Sequence, residues 1–233
     1  MRAQISLSAL IYNMHFLLLG ATGRTGKHVL SELLSQNHTA TALVRKNTLT
    51  PHPKLTTIIG SPLSKDDIRK AIQTKLPTVA IFTLNTPRKS DSPFAAQVGA
   101  PRLLADSCAN LCEVLSQAGV TRIVVMSTAG VGDSWGNLPL LSRAFMGLTN
   151  IKYALEDHNL LDKEIRKTVM EWSLVRPVKL EHEDESVKDV ATLGKNGVGM
   201  SMSDSITPAS AAKFLVKVAV EGLYVKEEVV IRN

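Results

Sequence analysis

The stretch GATGRTG, at residues 20–26, lies between two segments of different character. The run MHFLLL at residues 14–19 is typical of a buried strand, and GKHVLSELLSQ at residues 26–36 spaces its apolar residues as a helix does. A second strand-like segment, TATALVR, follows at residues 39–45. Strand, glycine turn, helix and strand in this order form the context in which such a turn binds dinucleotide phosphates. The sequence therefore predicts a dinucleotide-binding α/β fold.

The three glycines of the turn have separate predicted roles. Gly20 lets the chain turn sharply out of the strand, and Gly23 lets the backbone approach a pyrophosphate. Gly26 lets the helix pack closely on the sheet and direct its first amides at the phosphates. Thr22 and Thr25 complete the predicted phosphate-binding loop.

The end of the second strand indicates which dinucleotide is bound. A site for NAD places Asp or Glu there to bind the ribose 2′-hydroxyl, but this chain has Arg45 and Lys46. An arginine can hold a 2′-phosphate through two parallel hydrogen bonds, and Arg24 in the loop is a second cation within reach. The interpretation favours NADP(H); the alternative is that these are solvated surface cations.

Strand and helix patterns alternate along the rest of the chain, which is typical of a parallel sheet covered on both faces. We predict a single doubly wound α/β domain of Rossmann type over residues 14–233, with strand order 3-2-1-4-5-6 and an additional C-terminal strand. Residues 1–13 are interpreted as an N-terminal extension, and segments at about 130–150 and 179–206 as the substrate side. Further strands and helices are predicted as follows: strands at 55–60, 77–84, 122–127, 172–177 and 227–232, helices at 64–73, 97–118, 151–167 and 208–221.

Composition excludes several classes of function. The 233 residues are 44% hydrophobic and 4% aromatic, and the basic residues that give a net charge of +6 are spread along the chain. A platform that stacks nucleic-acid bases is therefore not expected. No apolar run reaches the length of a membrane span, and no histidine pair near the cysteines suggests a metal site. Cys108 and Cys112 are interpreted as buried thiols, which indicates a reducing, cytoplasmic location.

Four segments resemble one known family. GATGRTG, ALVRK, GVTRIVVMSTAG and WSLVRPVKL occur in the order and spacing of the atypical short-chain dehydrogenases/reductases, in particular the NAD(P)H-binding, NmrA-like proteins. The segment EDHNLLDKEIRKT at residues 156–168 is most similar to the biliverdin-IXβ reductase/flavin reductase branch. The resemblance covers nearly all of residues 14–232.

The resemblance implies further cofactor contacts. Residues after the fourth, fifth and sixth strands would lie along the ribose and nicotinamide: Thr83, Leu84, Asn85, Ser127, Thr128, Pro177 and Val178. The family commonly has Gly-Asp near the adenine, where this chain has Gly60-Ser61. Ser61 therefore lacks the carboxylate acceptor that the family uses there.

The proton donor of typical short-chain dehydrogenases, a Tyr-x-x-x-Lys pair, is absent. By the resemblance the lysine position falls on His158 and the tyrosine position on Ala154, and Tyr153 is followed four residues later by Asp157. His158 is the candidate proton donor, because an unperturbed histidine pKa suits that role near neutral pH. Asp157 is an alternative only if it is protonated in a buried site.

Other residues are weaker candidates. Ser127 and Thr128 would hydrogen-bond either the substrate or the carboxamide of the nicotinamide, and Trp135 and Tyr153 would contact the substrate. The apolar stretch LPLLSRAFMGL at residues 138–148 is interpreted as a core helix rather than a lid.

The predicted function is an NADPH-dependent reductase that transfers hydride to a small conjugated or aromatic acceptor, flavin-, quinone- or enone-like. Two alternatives remain open: an isomerase or cyclase in which NADP is bound but not consumed, and an NADP(H)-sensing regulator. The expected partner is a small-molecule substrate, with no nucleic acid or membrane, and the chain is expected to be a monomer or homodimer.

Overall fold

The computed structural model describes residues 13–90 and 92–233. Residues 1–12 of the interpreted N-terminal extension lie outside these ranges. An eight-stranded sheet runs through the domain in the order β3-β2-β1-β4-β5-β6-β10-β8, and β7 pairs with β9 in a second, small sheet. The strands are β1 His15–Leu19, β2 Thr39–Val44, β3 Leu55–Ile59, β4 Val79–Phe82, β5 Arg122–Met126, β6 Glu171–Pro177, β7 Lys179–Leu180, β8 Ala191–Thr192, β9 Ser205–Ile206 and β10 Glu227–Arg232.

Helices cover both faces of the large sheet. Two of them, α1 and α6, pack on one face, while α2, α3 and α5 pack on the other, which divides the buried apolar side chains into two clusters. The helices are α1 Arg24–Ser35, α2 Lys65–Thr74, α3 Leu103–Gln117, α4 Leu140–Leu148, α5 Ile151–Ile165 and α6 Pro208–Val220, with a 3₁₀ helix at Gly132–Asn137.

The predicted topology is confirmed. The first six strands lie in the order 3-2-1-4-5-6, all parallel, and β10 adds parallel to β6 as the expected C-terminal strand. The sequence did not predict β8, a two-residue strand that pairs antiparallel with β10. Its brevity explains the omission, because two residues show no periodicity.

The prediction that the third helix begins near residue 97 is wrong. The helix α3 begins at Leu103, after Arg102, whose φ of 60° lies in the left-handed region. A residue in that conformation cannot continue a right-handed helix, so residues 85–102 form a connection at the carboxyl end of β4.

The interpretation of residues 138–148 as a core helix is also wrong. The segment forms α4, but none of the helix residues is buried. Leu140, Leu141, Phe145 and Leu148 are all at least half exposed. The apolar pattern that suggested a core helix instead marks a helix at the surface, in contact with α5.

Cys108 and Cys112 are both buried and free, as interpreted from their spacing. Their Sγ atoms lie 4.0 Å apart on one face of α3. The contact with Cys112 and burial together raise the pKa of the Cys108 thiol. Both cysteines are therefore packed side chains in the core.

Within the described residues, no helix combines the length and the apolar character that crossing a bilayer requires. The same part of the chain contains no cluster of three or more His, Cys, Asp or Glu residues that could hold a metal ion.

Candidate functional site

The glycine loop, residues 20–26, connects β1 to α1 at the carboxyl edge of the sheet. Gly20 has a φ of +92°, and a Cβ atom there would lie 2.7 Å from the carbonyl carbon of Thr83. A Cβ atom on Gly26 would lie 1.9 Å from the carbonyl oxygen of Gly20. The helix therefore packs against the end of the strand at a distance that only glycine permits.

The first turn of α1 is open to an anion. Gly23 is the N-cap and provides no side-chain cap, and the first turn contains no acidic residue. The amides of Arg24, Thr25 and Gly26 precede the first intrahelical bond, which Lys27 donates to the Gly23 carbonyl at 3.0 Å. Thr22, Gly23 and Arg24 are exposed, so the loop can hold a phosphate group at the helix N terminus.

Two cations lie beside the loop. Leu43 of β2 is paired with Leu19 of β1, which places Arg45 and Lys46 at the same edge of the sheet as Gly20. Both are exposed, and neither forms an ion pair with any residue in ranges 13–90 and 92–233. They can reach a phosphate held near the end of β2.

The segment after β7 crosses in front of the same loop. Arg24 Nη1 lies 2.7 Å from His182 Nδ1, and Lys27 pairs with Glu185. That pairing lowers the pKa of Glu185. The substrate-side segment predicted at 179–206 thus contacts the N terminus of α1.

The end of β3 has a carboxylate that the sequence analysis did not find. The Ser61 amide donates to Asp67 Oδ2 at 3.0 Å. This bond and the contact with Lys70 lower the pKa of Asp67. The hydrogen bond, between residues six apart in sequence, places the Asp67 carboxylate of α2 beside the end of β3.

A cavity of about 230 Å³, here called the central cleft, opens at the carboxyl ends of β4, β5 and β6. Most of the predicted residues after these strands line it. Its lining residues are Arg24, Leu84, Asn85, Thr86, Arg88, Met126, Ser127, Thr128, Met146, Ile151, Ala154, Leu155, His158, Pro177, Val178, Lys179, Leu180 and His182. Thr83 lies behind this wall, where its hydroxyl donates to the Leu19 carbonyl at 3.1 Å.

Two polar side chains meet inside the central cleft. Ser127 Oγ lies 3.5 Å from His158 Nδ1, and both residues are buried. Burial lowers the pKa of His158 to about 4. The expectation of a histidine with an unperturbed pKa is therefore wrong, and the imidazole is neutral near pH 7. A neutral ring that carries its proton on Nδ1 can donate a hydrogen bond to Ser127 Oγ, which leaves the hydroxyl proton available to a ligand in the cleft.

Asp157 is not placed to donate a proton in the cleft. Its two carboxylate oxygens accept hydrogen bonds from the amides of Leu104, at 2.8 Å, and Ala105, at 3.0 Å. The residue therefore caps the N terminus of α3 from the face of α5 that is turned away from the cleft. Ionised carboxylates suit that role, because the first amides of a helix attract negative charge.

Trp135 and Tyr153 are not in the central cleft. Trp135 lines a neighbouring cavity of about 710 Å³, between the 3₁₀ helix, α4 and α5. Tyr153 is exposed, with Lys152 Nζ 5.1 Å from its ring centroid. Neither of these two candidate substrate contacts therefore lines the cavity that contains Ser127 and His158.

Sequence reasoning missed a buried ionic network below the substrate side. Arg176, the last residue before Pro177, is fully buried and donates to Asp162 Oδ1 at 2.7 Å. Arg166 pairs with the other oxygen of Asp162 and with Glu228. The i,i+4 spacing of Asp162 and Arg166 is visible in the sequence and indicates an ion pair. The pairing of these residues with β6 and β10 depends on tertiary structure.

We expect the variant His158→Gln to reduce the acid sensitivity of folding. Because burial lowers the pKa from 6.5 to about 4, the folded state resists a proton that the unfolded state accepts. The stability from this site is complete above the unfolded pKa of 6.5 and is lost as the pH falls toward about 4. Between about pH 7 and about pH 5 the native chain should lose about 2 kcal/mol through His158. Urea unfolding at both pH values measures the difference.

The matched control is His52→Gln, since His52 is exposed. It should leave the acid sensitivity unchanged. Burial and Lys75 also lower the pKa of His15 to about 4. All three proteins contain His15, so its contribution to the acid sensitivity is the same in each. An identical loss in the native chain and His158→Gln would contradict a buried neutral imidazole.

Comparisons with known proteins identify the family and the fold. A family model described as NAD(P)H-binding matches residues 20–221. Comparison with curated protein sequences finds no significant match.

Several solved structures share the fold at low identity. A short-chain dehydrogenase/reductase from Veillonella parvula in complex with NADP is 15% identical with a TM-score of 0.75, covering 94% of both chains. ChuY, an anaerobillin reductase from Escherichia coli, is 16% identical with a TM-score of 0.71, covering 93% of this chain and 96% of its own. A putative NAD-dependent epimerase/dehydratase from Bacillus halodurans is 19% identical with a TM-score of 0.72, covering 94% of both.

Proposed function

Because this chain belongs to the NAD(P)H-binding family, we propose that it is an NADPH-dependent reductase that transfers hydride to a small conjugated acceptor, flavin-, quinone- or enone-like. One observation carries the proposal. The glycine loop leads into a cleft in which buried Ser127 lies 3.5 Å from a neutral, buried His158, and no tyrosine in the described part of the chain lines this cleft. Neighbours in fold that are named as reductases or contain NADP support it.

In this proposal the chain's own residues hold NADPH along the carboxyl edge of the sheet. Amides of the glycine loop bind the pyrophosphate, while Arg45, Lys46 and Arg24 bind the 2′-phosphate. Ser61 lies near the adenine, and the nicotinamide end lies against the residues that line the cleft after β4, β5 and β6, with Thr83 behind them: Leu84, Asn85, Ser127, Pro177 and Val178. The bound cofactor supplies the hydride.

The remaining groups orient the acceptor and limit its chemistry. The Ser127 hydroxyl, held by His158, donates a hydrogen bond to the acceptor oxygen, and Thr128 lies beside it. Neutral His158 does not carry a spare proton near pH 7, so the proton comes from solvent. A conjugated acceptor suits such a site, because delocalisation stabilises its reduced anion without a strong acid.

The test is NADPH consumption with three acceptors: a free flavin, a naphthoquinone and an aromatic enone. We expect turnover with at least one of them. Ser127→Ala should lower kcat about tenfold, because it removes one hydrogen-bond donor to the developing charge. Ser116→Ala, an exposed serine on α3, is the control and should leave kcat unchanged.

NADPH binding without consumption by any acceptor would contradict the reductase proposal. Conversion of an acceptor at constant NADPH would favour the isomerase or cyclase alternative. Binding without conversion of any kind would favour the sensing regulator, which needs no proton donor.

A further inference from the structure

The cavity that contains Trp135 adjoins the central cleft. We call it the side groove; Met146 and Leu155 line both spaces, so they form the boundary that the two share. Its volume of about 710 Å³ exceeds the 230 Å³ of the central cleft. A ligand bound beside His158 that extends across Met146 and Leu155 therefore has room in the side groove.

The near part of the side groove is apolar. Trp135 from the 3₁₀ helix, Met146 from α4 and Leu155 and Leu160 from α5 line it. Trp135 is 38% exposed although it is a large apolar side chain. An apolar segment of a ligand would cover this surface and gain free energy from its burial.

The far part presents hydrogen-bond donors. Asn159 Oδ1 accepts from the Gly132 amide at 3.0 Å, which fixes the side-chain amide with its nitrogen as the remaining donor. Lys163 lies one turn further along α5 and forms no ion pair with any described residue. Lys152, at the other end, directs its Nζ to the Tyr153 ring.

Glu156 also lines the side groove, between these two lysines on α5. It is exposed and pairs with neither lysine within the described residues. Glu156 is one helical turn from Lys152 and two turns from Lys163. Its negative charge therefore opposes an anion near Lys152 more than an anion near Lys163. The Asn159–Lys163 end is thus the favourable place for an anion.

We propose that the side groove binds the tail of an elongated acceptor: an apolar chain that ends in a carboxylate, held by Asn159 Nδ2 and Lys163 Nζ. This inference rests on the proposed reductase function and names the substrate class. Lys163 is five positions after His158 on α5, a rise of about 7.5 Å and a rotation of about 140° around the helix, so the apolar chain must span more than about 7.5 Å.

The test uses a naphthoquinone with an unbranched alkyl chain ending in a carboxylate, and its methyl ester. In the absence of NADPH, each compound is titrated into the protein while tryptophan fluorescence is measured. The sequence contains only two tryptophans, Trp135 and the core residue Trp172. We expect the acid to quench with a dissociation constant about tenfold lower than the ester. Trp135→Phe should remove the quenching.

Lys163→Met should abolish the preference for the acid, and Lys163→Glu should invert it. Lys213→Met, an exposed lysine on α6, should retain it. With NADPH present, the acid should have a KM about tenfold below that of the ester at similar kcat, because the contact is remote from the reacting atoms.

The side-groove inference and the reductase function can be contradicted independently of each other. Equal dissociation constants for acid and ester, or a preference that persists in Lys163→Met, would overturn the side-groove inference even if both quinones oxidise NADPH. A Lys163-dependent preference without any NADPH oxidation would support the side groove and contradict the reductase function.

Discussion

The variant Gly26→Ala is expected to bind NADPH at least a hundredfold more weakly and to be destabilised by about 3 kcal/mol. The added Cβ would lie 1.9 Å from the Gly20 carbonyl oxygen, where a normal contact requires about 3.3 Å. The neighbour is backbone, so no side chain can rotate away. Relief requires α1 to move off the strand, which displaces the amides of the glycine loop from the phosphates.

Gly136→Ala is the matched control for this substitution. Nothing lies within 4 Å of a Cβ atom there, and its φ is outside the left-handed region. It should change the unfolding free energy by less than about 0.5 kcal/mol and leave cofactor affinity unaltered. NADPH fluorescence titration and urea unfolding measure the two effects. Native-like NADPH affinity in Gly26→Ala would contradict the placement of the phosphates at this loop.

Arg45→Glu is expected to invert the cofactor preference. We expect the native chain to bind NADPH more tightly than NADH, because Arg45 and Lys46 offer charge-assisted hydrogen bonds to the 2′-phosphate. A carboxylate at this position repels the phosphate and can instead accept from the 2′-hydroxyl of NADH. The ratio of the two dissociation constants should change by about a hundredfold, corresponding to about 2.7 kcal/mol.

The control Lys213→Glu makes the same change in net charge on exposed α6 and should leave the ratio unchanged. Titration of each protein with both cofactors gives the ratios. Equal affinities for NADPH and NADH in the native chain would contradict the cofactor choice. A similar change in both variants would indicate a general charge effect instead of a contact at the end of β2.

The features that sequence predicted best are those that local chemistry determines. Gly20 and Gly26 are required by a turn and a close approach, and both requirements are visible in the strand–loop–helix order. Continuous apolar strands that alternate with helices indicated a doubly wound parallel sheet, and the structure confirms the strand order predicted for it. The placement of Ser127 and Pro177 at one edge follows from that order.

The features that sequence did not predict depend on distant parts of the chain. Asp157 caps α3 because α5 packs against it, and no local signal reveals that neighbour. The lowered pKa of His158 is likewise a consequence of burial. On a helix of mixed polarity, the sequence does not show that this side chain is buried. Arg176 lies within an apolar strand, and it forms its ion pair with Asp162 only in the folded chain.

Transfer of deuterium from NADPH labelled on the nicotinamide C4 to an aromatic enone tests the proposed reaction directly. The reductase function predicts one deuterium on the β-carbon of the product when the transferred face is labelled, and loss of one NADPH for each product formed. Product without label, or an enone that remains unchanged while NADPH is bound, would contradict hydride transfer at this site.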